Sequence, residues 1–205
     1  MKQVVLIICD GMGYRKEIKY NAIKSANTPN LDFLYQNYPH ILLKASGEDI
    51  GLPAGQMGTS EANHLIIGSG RIIYQNLLKI NNSIKNNTLK DNITLLESIN
   101  HAKENSSIFH IMGILGPGGV HGHSDHIKAI IKIAVDSGLK DISLHLITDG
   151  RDTLPKSALG YLKDIEEYIK QFNVNIKISS ISGRYYAMDR DNNLDRTRKY
   201  FNCIV

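Results

Sequence analysis

The chain is predicted to be an α/β protein of layered, largely parallel sheets, and three observations carry that prediction. It opens on a continuous run of β-branched and aliphatic residues, 4–9, that stops at Asp10-Gly11, the pattern of a strand buried on both faces. From about Ile72 onward, short apolar runs alternate with amphipathic helical patterns, the order that stacks helices on a parallel sheet. The clearest of those helices puts Ala158, Tyr161, Leu162, Ile165, Tyr168, Ile169 and Phe172 on one face.

Each element follows from local chemistry. Thr28-Pro29 opens a helix with proline in its first turn and Leu31, Leu34 and Tyr35 at helical spacing. A strand is predicted at 41–45. The segment Gly55-Gln56-Met57-Gly58-Thr59-Ser60-Glu61-Ala62-Asn63-His64 then sets one hydroxyl between a glycine turn and an apolar helical run, which stops at Gly68-Ser69-Gly70. Asn81-Asn82 and Asn86-Asn87 break the apolar pattern, so a boundary is placed between a domain at 1–75 and a second at 76–205. A helix at 89–102, a strand at 108–112, and a helix with Ile127, Ile130, Ile131 and Ala134 on one face follow. Strands at 142–147 and 174–181 flank the helix around Ile165.

Composition narrows the class. Of 205 residues, 42% are hydrophobic and 21% charged, a globular balance with room for one or two domains. The opening apolar run is too short to span a membrane and lacks a signal-peptide pattern, which predicts a cytoplasmic protein. Cys9 and Cys203 form no CxxC pair and are read as reduced thiols. A net charge of +4 suits small anionic ligands. Arg184, Arg190, Arg196, Arg198 and Lys199 form a denser basic group, but Asp189, Asp191 and Asp195 among them argue against nucleic acid.

Polar clusters mark the candidate chemistry. Ser60 reads either as a nucleophile presented beside helix N–H groups or as an ordinary helix cap. Asp10 sits at a strand's C-terminal end, where ligands bind in α/β sheets, although Asp-Gly is also a turn pair. In the loop after the 108–112 strand, His121, His123, Asp125 and His126 suit Zn, Mn or Fe, or an anion, or only a solvated loop with a cap at Ser124 or Asp125. After the 142–147 strand, Arg151 offers a fork for a carboxylate or phosphate and Asp152 a proton-transfer group, unless the two merely pair. Arg184 and Arg190 follow the 174–181 strand and add two guanidiniums at the same sheet edge.

Taken together, these segments resemble the cofactor-independent, manganese-dependent phosphoglycerate mutases of the alkaline phosphatase superfamily. The resemblance rests on Ile8-Cys9-Asp10-Gly11, Asn27-Thr28-Pro29, Ala45-Ser46-Gly47-Glu48, residues 51–64, Gly68-Ser69-Gly70-Arg71, Gly118-Gly119-Val120-His121, Asp149-Gly150-Arg151-Asp152 and residues 182–190, all in family order. It implies that Ser60 is the nucleophile that becomes phosphoserine, with Ser60 and Asp10 as ligands of one manganese ion. It implies that His121, Arg151, Asp152, Arg184 and Arg190 contact substrate, with Asp152 assisting proton transfer while 3- and 2-phosphoglycerate interconvert without a bisphosphoglycerate primer. The implied complete enzyme is a monomeric glycolytic isomerase with two Mn2+ ions and no nucleic-acid or membrane partner.

The sequence departs from the family pattern at Thr59, usually Asn, at Asn63, usually Gly, at Gly116-Pro117, usually Ser-Asp, and at Gly122, usually Ser. Family members are also longer, and their other metal ligands lie in the additional part. The expectation is an N-terminal portion: an incomplete phosphatase-like domain and most of an inserted phosphotransferase domain, inactive by itself. Two alternatives stand beside it. One is another metal-dependent phosphatase of the superfamily, which has no reason to keep the arginine set, and the other is a non-catalytic relic that binds phosphoglycerate.

Overall fold

The apolar run that opens the chain does not become a strand. In the computed structural model, which describes residues 3–205, residues 3–9 are irregular, and Val4, Val5, Leu6 and Ile7 are exposed. The strand predicted at 41–45 is irregular too, with Ile41, Leu42 and Leu43 exposed. Both corrections have one cause. A strand needs ladder hydrogen bonds to a neighbour, and among the described residues neither segment pairs with another.

Order in this unit, which ends at Tyr74, is helical. Helix α1 (Ala22–Ser25) is capped by Asn21, and α2 (Pro29–Asn37) begins at the proline, as its sequence predicts. Helix α3 (Ser60–Ser69) ends at Gly70, whose left-handed φ of 65° lets its N–H reach the Ile66 carbonyl. Ile50 and Leu52 pack with Ala62 and Ile66 of α3 in a small core. Gly58 makes the closest approach: a Cβ there would lie 1.8 Å from the Ala45 carbonyl oxygen, so no other residue fits. Asn63 ties α3 to the same segment, donating to the carbonyls of Ala45 (3.3 Å) and Thr59 (3.0 Å).

The second unit begins at Gln75. Helix α4 (Asn76–Lys85) runs through Asn81-Asn82, which the sequence pattern read as a break. The Asn81 side chain is a partner rather than a breaker, its Oδ1 lying 2.7 Å from His126 Nε2. Asn86 closes the helix and Asn87 turns the chain at φ 56°, a conformation asparagine tolerates. A short 3-10 turn (Leu89–Asp91) precedes α5 (Ile93–Glu104), whose start is set by Asn92 accepting from the Leu95 N–H. The helix predicted at 89–102 therefore starts later than its apolar pattern.

Next come β1 (Phe109–Leu115), α6 (Ser124–Asp136), β2 (Asp141–Thr148), α7 (Ala158–Ile169), β3 (Asn175–Gly183), α8 (Arg184–Ala187) and α9 (Leu194–Ile204). The strands form a parallel sheet in the order β1-β2-β3, with Phe109 opposite Ile142 and Ile142 opposite Ile176. Alternate residues on one face, Ile111, Leu115, Ile142, Leu144 and Leu146, pack against Ile127 and Ile131 of α6 and Ile165 of α7. Burial of this continuous apolar layer is the main stabilising term of the unit.

The other face carries a polar row. His110 Nδ1 lies 2.9 Å from His145 Nε2, and His145 Nδ1 lies 2.7 Å from the Ser180 hydroxyl. A bulge at Ser179 brings Ser180 opposite His145 and pairs the Ser179 and Ser143 hydroxyls. Burial, and then the neighbouring His110, hold the His145 imidazole below its ordinary pKa of 6.5. The folded state therefore binds fewer protons than the unfolded one, and His145 contributes stability that is present above pH 6.5 and lost as pH falls below it.

Urea unfolding midpoints are expected to drop between pH 7 and pH 5, and His145→Gln should flatten that slope. His126, whose pKa burial and then His123 also lower, contributes in the same direction. An acid slope unchanged by His145→Gln contradicts this account.

Candidate functional site

Parallel strands end at a common edge, and the loops leaving that edge build a cavity. Its organising group is Asp149, which directly follows β2. One carboxylate oxygen, Oδ1, accepts the N–H groups of Arg151 (2.9 Å) and Asp152 (3.0 Å) and also Nη1 of Arg184 (2.9 Å). Arg184 opens α8 directly after β3, and the same Nη1 donates to Asp152 Oδ2 at 2.6 Å. The Asp149 side chain is only 4% exposed. Burial alone pushes its carboxyl up, but the two backbone N–H groups and the guanidinium outweigh burial and hold it below the ordinary carboxylate range. Hydrogen bonding to Asp152, and then to Asp149, keeps Arg184 firmly protonated.

The cavity has a volume of about 670 Å³ and is lined by His121, Arg151, Asp152, Arg184 and Arg190. His121 Nε2 lies 4.0 Å from Asp152 Oδ2. Among the described residues, the Arg151 and Arg190 guanidiniums have no side-chain partner. Gly118 permits close packing against the two aspartates, since a Cβ there would lie 3.1 Å from the Asp152 carbonyl oxygen and 3.2 Å from an Asp149 carboxylate oxygen.

The histidines of the loop after β1 separate. His123 caps α6, its Nδ1 accepting the Asp125 N–H at 3.1 Å, and His126 meets Asn81. The cap is thus His123, not Ser124 or Asp125. Ser124 is buried and its Oγ accepts the Gly116 N–H at 2.7 Å. No cluster of three or more metal-ligating side chains exists among the described residues, and of these histidines only His121 lines the cavity.

In the first unit, Thr59 takes the capping role at α3, its Oγ1 accepting the Ala62 N–H at 3.2 Å. Ser60, the first residue of the helix, is left free to donate its hydroxyl to Asp10 Oδ2 at 2.7 Å. His64 Nδ1 lies 2.8 Å from the Ser60 carbonyl and 3.1 Å from its hydroxyl. A carbonyl only accepts, so this contact assigns the proton to Nδ1. Asp10 and Ser60 offer a hard divalent cation two oxygen donors, a set of the right chemistry.

Two features of the cavity escaped the sequence reading. Asp149 stands in the Asp149-Gly150-Arg151-Asp152 motif with no role assigned to it, and its only local sign is Asp-Gly followed by backbone donors. Arg196 and Tyr185 also line the cavity, and their pairing depends on how α8 and α9 meet.

Comparison with known proteins adds the decisive finding: a family model described as "BPG-independent PGAM N-terminus" matches residues 80–205. The chain belongs to that family. It is 49% identical over 204 residues to the 2,3-bisphosphoglycerate-independent phosphoglycerate mutase of Clostridium botulinum (strain Langeland), covering 100% of this chain and 40% of the relative. To the enzyme of that name from Clostridioides difficile (strain 630) it is 50% identical over 204 residues, covering 100% of this chain and 39% of the relative. The crystal structure of Leishmania mexicana phosphoglycerate mutase at low cobalt concentration superposes with a TM-score of 0.68 at 29% identity, covering 86% of this chain and 33% of that one. The chain thus spans about 40% of the length of the curated relatives it matches.

Asp149→Ala removes the shared acceptor of three donors, and a loss of about 2–4 kcal/mol in urea unfolding of the second unit is expected. Ser60→Ala changes an exposed side chain, and unfolding of the first unit is expected to stay within about 0.5 kcal/mol of the parent.

Proposed function

We propose that this chain supplies the nucleophile and much of the substrate pocket of a 2,3-bisphosphoglycerate-independent phosphoglycerate mutase, a cytoplasmic isomerase interconverting 3- and 2-phosphoglycerate. The observation that carries this reading is the Ser60–Asp10 hydrogen bond at 2.7 Å, in a chain about half identical to enzymes bearing that name. Residues 1–75 are assigned to the phosphatase-like part and 76–205 to the substrate-binding phosphotransferase part.

The chemistry follows from the residues. Ser60 Oγ attacks phosphorus, forming an Oγ–P bond as the bond from phosphorus to the glycerate O3 breaks. The serine proton is balanced by the proton that O3 gains. Glycerate then presents O2, which takes the phosphoryl group back and restores the serine hydroxyl. Asp152 exchanges the proton with the two glycerate hydroxyls in turn. Its pairing with Arg184 at 2.6 Å orients it until a substrate hydroxyl arrives. Arg151, Arg184 and Arg190 hold the carboxylate and phosphate, and His121 adds a donor beside Asp152.

Asp10 and Ser60 would be two of the ligands of a divalent cation, manganese in this reading. When bound, it lowers the hydroxyl pKa and shields the incoming phosphate. Two protein oxygens are too few to hold such an ion well, so the additional length found in the relatives supplies the rest.

The test is mutase turnover with manganese and without bisphosphoglycerate, for this chain alone and with the C-terminal part of a relative supplied separately. Turnover is expected only in the second case. Ser60→Ala should abolish acid-stable phosphoserine and lower turnover about a thousandfold or more. Phosphoserine that survives the substitution, or no turnover after complementation, overturns the proposal.

A further inference from the structure

Arg196 has no role in the mechanism above, yet an ion pair and an aromatic ring fix its position. It lies in the first turn of α9. Its Nη1 sits 3.2 Å from Asp189 Oδ1, and its guanidinium stacks over the Tyr185 ring at 4.0 Å from the centroid. Asp189 is itself fixed: its side chain is 2% exposed and accepts the Asn193 N–H (2.7 Å), the Asn193 side-chain amide (2.9 Å) and the Asp191 N–H (3.3 Å). A guanidinium has five N–H donors. Among the described residues, Asp189 uses one of them, and stacking on an aromatic face leaves the edge of the fork open. The side chain is 32% exposed and lines the same cavity as Arg184.

Charge balance gives this arrangement a purpose. Four arginines and four aspartates line the cavity, and Arg184 is already shared between two of those carboxylates. Without Arg196 the wall is net negative and opposes entry of a multiply charged anion. A residue that served only to close the turn between α8 and α9 would be satisfied by Asp189 and would not need to line the cavity.

We propose that Arg196 is a further anion-binding residue of this cavity, presented by Asp189 and Tyr185 so that its unused N–H donors take an oxygen of the carboxylate or phosphate of a phosphorylated hydroxy acid. This rests on the function proposed above, and deepens it.

The test is calorimetric titration of the 205-residue chain with 3-phosphoglycerate at several salt concentrations, with circular dichroism to confirm folding. Arg196→Met is expected to weaken binding about tenfold or more and to reduce the slope of log Kd against log salt, while Arg196→Lys recovers part of the loss. The salt slope separates a ligand contact from a turn clamp, which would leave it unchanged. If Arg196→Met does not fold, Tyr185→Leu decides, because Tyr185 is exposed and its loss releases the guanidinium without removing the Asp189 pair. Weakening of about threefold or more supports the role, and unchanged affinity overturns it. Binding that Arg184→Met abolishes but Arg196→Met leaves within about twofold of the parent overturns this inference alone. No binding by the parent chain at millimolar 3-phosphoglycerate overturns this inference, while turnover after complementation decides the function on which it rests.

Discussion

A single buried carboxylate oxygen, Oδ1 of Asp149, organises the second unit's site. By accepting two consecutive backbone N–H groups it fixes the turn that follows β2, and by accepting Arg184 it couples that turn to the end of β3. A carboxylate without partners in so enclosed a position would take up a proton, because desolvation disfavours its charge. Three donors reverse the balance, so the group that aligns the loops also stays charged to hold the arginine. Asp152 then inherits its place from the same turn, with its carboxylate 2.6 Å from Arg184. The closeness of Gly118 to both aspartates shows how little space the three loops leave between them.

The first unit solves a different problem, that of keeping a hydroxyl at a helix start from being used up by the helix. Serine in such a position readily caps the backbone, and Thr59 does so instead. Ser60 is thereby released toward Asp10. Gly58 sets the approach, since its contact with Ala45 admits no side chain, and Asn63 pins the following turn to the same carbonyl. Thr59 and Asn63, where the resemblance implies Asn and Gly, therefore have defined structural work here. The same holds for Gly116, whose φ of 135° lets its N–H reach Ser124.

Arginine is used in two ways around the cavity. Arg184 and Arg196 are each anchored to a buried aspartate, which spends part of their charge on fixed geometry. Arg151 and Arg190 have no side-chain partner among the described residues and keep their full donor sets for a ligand. The cavity therefore combines cations oriented by carboxylates with cations that no side chain fixes among the described residues.

Much of the second unit was legible in the sequence. The strands around Ile111, Leu144 and Ile178 and the helices around Ile131 and Ile165 follow from apolar periodicity, because burial on one face imposes a period of 2 or 3.6 whatever the neighbours are. The residue types that line the cavity were legible as well, since the polar clusters follow directly on the predicted strands. The strands predicted at 4–9 and 41–45 were not realised, because an apolar run specifies burial but not the partner strand that must complete its hydrogen bonds. Nor could the sequence decide that Thr59 rather than Ser60 caps α3, that His123 rather than Ser124 caps α6, or that Asp149 holds Arg184. Those choices depend on which donors and acceptors from distant positions meet within about 3 Å, and only the tertiary structure brings them there.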